Sequence, residues 1–187
     1  MSFHFCTIAS GSSGNCVFAG TDDTRILIDA GLSGKQIEAG LVSVGIAPQS
    51  LDAIVVTHEH SDHIQGAGIL SRRFDLPIYA TPRTWEAMEK YNMIGKVHPR
   101  NKLLVYSEER LILNDMCIRP FAIPHDAAEP VGYTIEAEGC KAAVATDIGR
   151  PTPLIERQIA DCDILLMEAN HDVDLLENGP YPIQLKR

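Results

Sequence analysis

Thr57-His58-Glu59-His60-Ser61-Asp62-His63 packs three histidines and two carboxylates into seven residues, directly after an apolar run that begins at Leu51. Functional side chains gathered where a buried strand meets a loop can converge on one point. Neutral imidazole and carboxylate are the ligands that suit Zn²⁺, Mn²⁺ or Fe²⁺. In extended chain His58 and His60 project to the same side, being two residues apart. Asp62 and His63 follow at an offset that could serve a second ion. The competing reading is three histidines on a solvated loop, and the density of ligand types favours a metal.

Outward from this cluster the chain reads as a mixture of strands and helices. Upstream lie strand patterns at Phe3 to Ala9, Cys16 to Ala19 and Arg25 to Asp29, spaced as an antiparallel sheet. Ser33 is a suitable N-cap for a helix reaching about Val44. Downstream, Ile64 to Arg73 reads as a helix, Ile78 to Ala80 as a short strand and Pro82 to Lys90 as a helix with Pro in its first turn. From Lys102 strands dominate (Lys102 to Tyr106, Leu111 to Asn114, Met116 to Ala122, Val131 to Glu136, Lys141 to Thr146), which implies a second sheet. Pro151 to Ala160 returns as a helix before a buried strand from Ile164 to Glu168. The expected class is α/β (α+β), two sheets packed together with helices on the outer faces.

Composition narrows the class further. The 187 residues are 45% hydrophobic and 22% charged, with 14 Gly and 11 Pro scattered, which excludes disordered, collagenous and low-complexity chains. One domain over residues 1–187 is the expected unit. The apolar runs are far shorter than the ~20 residues of a membrane-spanning helix, and no leader pattern opens the chain, so a soluble cytoplasmic protein is expected. Five cysteines without Cys-x-x-Cys spacing read as reduced thiols. A net charge of −9 argues against nucleic-acid binding by overall electrostatics. Seven basic against three acidic residues nevertheless leave the stretch Arg72 to Lys102 at +4 and the remainder at −13. That stretch is either a solvated helical face or a groove lining for a phosphate backbone, with Arg72 and Arg73 as contacts and Trp85 or Tyr91 for stacking on a base.

A site with two metals needs further ligands, and preferably a carboxylate between the ions. His125, in Pro124-His125-Asp126-Ala127, and Asp147, before Ile148-Gly149, both stand at expected strand ends, as His58 does. Taken alone, either also reads as a turn residue, as does Asp29 before Ala30-Gly31. Ser10 to Asn15 is glycine-rich but precedes no helix, so it reads as a tight loop rimming the site rather than a nucleotide cradle.

The order Asp29, His58 to His63, His125, Asp147 resembles the metallo-β-lactamase fold, an αββα four-layer sandwich. More narrowly, Ala9-Ser10-Gly11-Ser12-Ser13-Gly14-Asn15, Ile28-Asp29-Ala30-Gly31, His125-Asp126-Ala127 with Pro130-Val131-Gly132-Tyr133, Thr146-Asp147-Ile148-Gly149 and Glu168-Ala169-Asn170-His171-Asp172 are similar to the YycJ (WalJ) branch of metal-dependent exonucleases. The resemblance implies two divalent ions (Zn or Mn, with Fe as a further option), one on His58, His60 and His125 and the other on Asp62 and His63. Asp147 would bridge them and Asp29 would orient the cluster. Asp62, Asp147 and Asp29 are thus the catalytic candidates. The implied function is a metal-dependent hydrolase, a phosphodiesterase or exonuclease acting on nucleic acid through a metal-activated hydroxide. Two alternatives use the same residues: a (thio)ester or lactone hydrolase, and a metal-poor binding module. The family also carries a later His in a Gly-His-Leu-Ser-like motif, and this chain reaches Arg187 without one. The expectation is a C-terminally truncated form with an incomplete second site and a poorly packed tail from Asn178; His171 is the remaining downstream histidine, but the family's Glu-Ala-Asn-His-Asp motif coexists with the later His, which argues against it as a ligand.

Overall fold

The computed structural model describes residues 2–168 and 178. Strands β1 (His4–Ala9), β2 (Cys16–Gly20), β3 (Arg25–Ile28), β4 (Ala53–Val55), β5 (Ile78–Ala80) and β6 (Lys102–Leu104) form one sheet in sequence order. The first three pair antiparallel and the rest parallel. A second sheet holds β7 (Leu111–Leu113), β8 (Met116–Ala122), β9 (Val131–Ala137), β10 (Cys140–Ala145) and β11 (Ile164–Met167), antiparallel except where β11 lies parallel to β10. Helices α1 (Gly34–Ser43), α3 (Ala67–Phe74) and α4 (Pro82–Lys90) cover the first sheet, α5 (Pro153–Ile159) covers the second, and one turn of helix, α2 (Ser61–Ile64), carries part of the histidine cluster.

Strand alternation divides the core into layers. Val17, Ala19, Ile26, Ile28, Ala53 and Val55 point between the sheets, where they meet Met116, Ile118, Val131, Tyr133, Ile135 and Val144. Their neighbours Phe18, Leu27, Ile54 and Val56 point the other way, onto Ile37 and Leu41 of α1, Leu70 of α3 and Trp85 and Met88 of α4. Phe121 and Ala145 pack outward on Ile155 of α5. Because successive side chains face opposite sides, a strand buried on both faces needs an unbroken apolar run, as Ile26-Leu27-Ile28 and Ala53-Ile54-Val55-Val56 supply. The architecture is the expected αββα sandwich.

Four local expectations are revised. The strand expected to be buried from Ile164 to Glu168 ends at Met167 and lies open on one face, with Leu165 and Met167 exposed. The strand at Lys102 belongs to the first sheet, not the second, because α4 returns the chain to pair parallel with β5. The helix expected from Ile64 to Arg73 is divided into α2 and α3 at Gly66, whose amide donates to the Ala30 carbonyl at 2.7 Å. A Cβ there would sit 2.5 Å from the Leu32 carbonyl oxygen, so the bend is a docking point of backbone on backbone. The strand expected through Asp29 stops at Ile28, since Asp29 turns into the left-handed region at φ 61°.

Strand direction then places the chemistry. The chain leaves β3, β4, β8 and β10 at one rim of the sandwich toward Asp29, His58, His125 and Asp147, and it enters antiparallel β2 and β9 from that rim beside Asn15 and Pro130. Two bonds tie the sheets together there: Tyr133 Oη donates to the Val56 carbonyl at 2.8 Å, and the Val131 amide to the Thr57 carbonyl at 3.0 Å.

Gly31 fixes how closely the rim loops approach. The Asp62 carbonyl accepts from the Asn15 amide at 2.7 Å, and a Cβ on Gly31 would stand 1.6 Å from that oxygen. Gly31→Ala should therefore destabilise the protein by at least about 3 kcal/mol and displace the Asp62–His63 turn. Thermal melting checks this. A midpoint within about 2 °C of the parent would contradict the close approach.

Candidate metal centre

Asp29 organises the site from beneath. Its Oδ1 accepts from the Thr57 amide at 2.8 Å, and its Oδ2 accepts from Thr57 Oγ1 at 2.8 Å and from His63 Nδ1 at 2.7 Å. Because the Thr57 hydroxyl donates to Asp29, its oxygen is left to accept from His58 Nδ1, 3.0 Å away. The hydrogen-bond pattern thus puts a proton on Nδ1 of both His58 and His63. Nε2 of each is turned toward the centre, the arrangement that outer partners impose on ligating histidines.

Around that support His58, His60 and His125 bring one nitrogen apiece within 4.8 Å of one another, and His58, His63 and an Asp147 oxygen form a second triad of the same size. His58, fully buried, belongs to both, its ring 4.1 Å from that of His63 and 4.7 Å from that of His125. His60 Nδ1 and His125 Nε2 are 3.2 Å apart. Asp62 Oδ2 lies 3.7 Å from His63 Nε2, farther out than the other candidates.

Buried atoms without partners test whether a cation fits here. His58 Nε2 and Asp147 Oδ2 have no aligned hydrogen bond, although His63 Nε2 is 3.1 Å from the latter. Leaving a buried polar atom unpaired costs about 1–3 kcal/mol, and an imidazole lone pair facing a carboxylate across a cluster of histidines is the donor set of a divalent ion. Asp147, like Asp29, holds a positive φ, 55°. Such strain concentrates at functional sites.

Several residues that support this centre were not singled out in the sequence. Glu59 Oε1 accepts from the Ala128 amide at 2.8 Å and clamps the His125 loop to the histidine cluster. Glu168 Oε2 accepts from the Asp147 amide at 2.9 Å, and the Gly149 amide donates to the Pro124 carbonyl at 2.8 Å. Asn15 Nδ2 lies 3.1 Å from His63 Nε2. Asn15 and Glu168 each fall in a motif quoted for the resemblance, and that was the available signal. Outside the site, His4 Nε2 meets Ser2 Oγ, and His98 caps the turn Pro99–Asn101. His171 lies outside the described residues.

The basic stretch is partly used internally. Arg72 Nη1 donates to the carbonyls of Ile94 and Lys96, both at 2.9 Å. Arg73 pairs with Glu38, Arg100 with Asp75 and Lys102 with Glu89. Among the described residues neither Arg72 nor Arg73 bonds to the histidine cluster. Trp85 is not available for stacking: it is buried at 6% exposure and its indole donates to the Leu103 carbonyl at 2.9 Å. Tyr91 stays exposed. All five cysteines are free thiols, with Cys16 buried and the others half-buried. Among the described residues no helix is long and apolar enough to cross a membrane.

Without metal His58 and His63 titrate far apart. Burial, with His63 and His125 adding repulsion, pushes His58 down to about 2. Burial would also lower His63, but Asp29 and Asp147 override it and raise His63 to about 10. Burial opposes ionisation of Asp147, yet the close approach of His63, with His58 and His125 adding attraction, brings it down to about 2. A raised His63 stabilises fully below its ordinary 6.5, and that contribution is lost as pH climbs toward 10. A lowered His58 withdraws stability as pH falls below 6.5, and a lowered Asp147 withdraws more below 3.8. The chelated protein should therefore be most stable near pH 6.5. Melting curves across pH check this, and stability that rises steadily from about pH 6 to 9 would contradict it.

A family profile described as "Beta-lactamase superfamily domain" matches residues 24–179. Exodeoxyribonuclease YycJ of Bacillus anthracis is 40% identical over 187 residues, covering all of this chain and 70% of that protein. Exodeoxyribonuclease WalJ of Streptococcus pneumoniae serotype 2 is 38% identical over 185 residues, covering 99% of this chain and 69% of that protein. In fold, Zn(2+)-bound PqqB from Methylobacterium extorquens superposes with a TM-score of 0.73 at 20% identity, over 90% of this chain and 64% of that one. By profile, by identity along its whole length and by fold, the chain belongs to the metallo-β-lactamase superfamily and, within it, to the YycJ/WalJ family.

Proposed function

We propose that this chain is a metal-dependent hydrolase that cleaves phosphodiester bonds in nucleic acid, with DNA as the substrate class that the names of its relatives carry. The observation that carries the reading is the pair of ligand triads sharing buried His58. In this reading His58, His60 and His125 hold one divalent ion, Zn or Mn, and Asp62 and His63 hold a second, with Asp147 between them. When bound, such ions supply Lewis acidity that lowers the pKa of a water and neutralises charge on the substrate.

The protein's own residues do the rest. Asp29 and Thr57 keep the Nε2 atoms of His58 and His63 turned to the centre. In this reading Asp147 accepts a hydrogen bond from the attacking water, with Asp62 at the rim as a second acceptor; the absence of an aligned partner for Asp147 Oδ2 supports the first role. Hydrolysis of a (thio)ester or lactone would use the same groups, and the named relatives favour the phosphodiester. The basic stretch, with Arg72 and Arg73, is the proposed contact for the substrate backbone, and among the described residues Arg83, Lys90 and Lys96 form no ion pair. Free thiols support a reducing compartment such as the cytoplasm.

Two experiments test this reading. His60→Ala removes one ligand from the exposed side of the first triad and should lower bound metal and abolish hydrolysis. Unchanged metal content by elemental analysis would refute the assignment. Replacing Arg72 and Arg73 with Gln should lower the slope of log binding constant against log salt by up to about two for DNA. An unchanged slope would leave these side chains to Glu38 and to the carbonyls at Ile94 and Lys96.

A further inference from the structure

The side chain of Asn15 is fixed in one orientation by its own loop. Oδ1 accepts from the Gly11 amide at 3.0 Å and Nδ2 donates to the Gly11 carbonyl at 3.3 Å. Because Oδ1 must face an N–H, the amide cannot be reversed, and Nδ2 with its remaining hydrogen lies 3.1 Å from His63 Nε2. The backbone is equally held: the Asn15 amide donates to the Asp62 carbonyl at 2.7 Å and its carbonyl accepts from the Gly31 amide at 2.8 Å. Gly11 and Gly14 supply the positive φ angles, 132° and 145°, that let the loop fold back on Asn15.

His63 Nε2 belongs to the second ligand triad. A cation held there displaces any proton from Nε2 and occupies its lone pair, so the second amide hydrogen has no acceptor on that ring. Asp147 Oδ2 does not substitute for it, since that oxygen receives no aligned hydrogen bond. Asn15 is 9% exposed, and a donor so buried is costly to leave unpaired. We infer that Asn15 Nδ2 is a substrate-binding donor of this centre, hydrogen-bonding a phosphoryl oxygen beside His63. This rests on the reading above of a divalent metal centre that acts on phosphate esters. Among donors that bind developing negative charge, a neutral amide fixed in advance needs no reorganisation when charge appears.

Asn15→Asp separates this role from a structural one. The carboxylate keeps the acceptor for the Gly11 amide, removes the donor and places an anionic oxygen beside the metal-binding nitrogen. With Zn or Mn loaded, inorganic phosphate should bind at least about 10-fold more weakly than to the parent, while elemental analysis finds metal undiminished. Hydrolysis of single-stranded DNA should fall about 100-fold in kcat. Asn15→Ala, should the Asp variant fail to fold, is expected to weaken phosphate binding and lower kcat in the same direction with metal retained. Phosphate affinity within twofold of the parent in the folded variant, or loss of metal in step with loss of affinity, would overturn the proposal. A parent that binds metal and phosphate but cleaves no DNA would instead overturn the nuclease reading, leaving the phosphate measurement to decide on Asn15.

Discussion

Three hydrogen bonds converge on the carboxylate of Asp29, a residue 2% exposed, and the geometry of the whole rim follows from them. A buried carboxylate is stable only when its oxygens are satisfied, so Asp29 demands both the backbone and the hydroxyl of Thr57 and the ring of His63. Those demands fix the end of β4 against the end of β3 and bring α2 back over both. They also fix a proton on Nδ1 of two histidines at once, because the single Thr57 hydroxyl proton goes to Asp29 and its oxygen is left for His58. The face that the clustered imidazoles present is therefore decided by a residue that belongs to neither triad.

The sandwich supplies what Asp29 cannot. A strand pair alone could present Asp29 and His58, but His125 and Asp147 come from the other sheet, and their approach depends on how the sheets are tied at this rim. Tyr133 and Val131 bond to the two carbonyls immediately before His58. Glu59 then holds the His125 loop, and Glu168 and Pro124 hold the Asp147 loop. The segments carrying His58, His125 and Asp147 are thus each braced by a bond from an element of different origin, which gives the preorganisation that a mutually repelling cluster of imidazoles requires.

Much of this was legible in the sequence. Apolar runs of strand length separated by turn residues gave both sheets, and the ligand-rich segment after Leu51 gave the centre. What was hidden depends on pairing rather than on pattern. Nothing in Lys102 to Leu104 says which sheet it joins, because that is decided by the crossover through α4. The bend at Gly66 is invisible without the loop at Ala30 to Leu32 that docks there. Trp85 looked like a surface aromatic among charges, yet its helical position turns it under Leu103. Asn15, Thr57, Glu59 and Glu168 support the centre only through contacts between residues far apart in the chain, except where Thr57 adjoins His58. Their residue types alone carried no such information.

Anomalous diffraction from crystals of the protein grown with Mn²⁺ or Zn²⁺ tests the central claim most directly. A peak is predicted among His58, His60 and His125, at about 2.0–2.2 Å from the imidazole nitrogens, with Asp29 still bonded to Thr57 and to His63 Nδ1. No peak inside the cluster, or a metal bound elsewhere with the His60 and His125 rings still in contact, would contradict it.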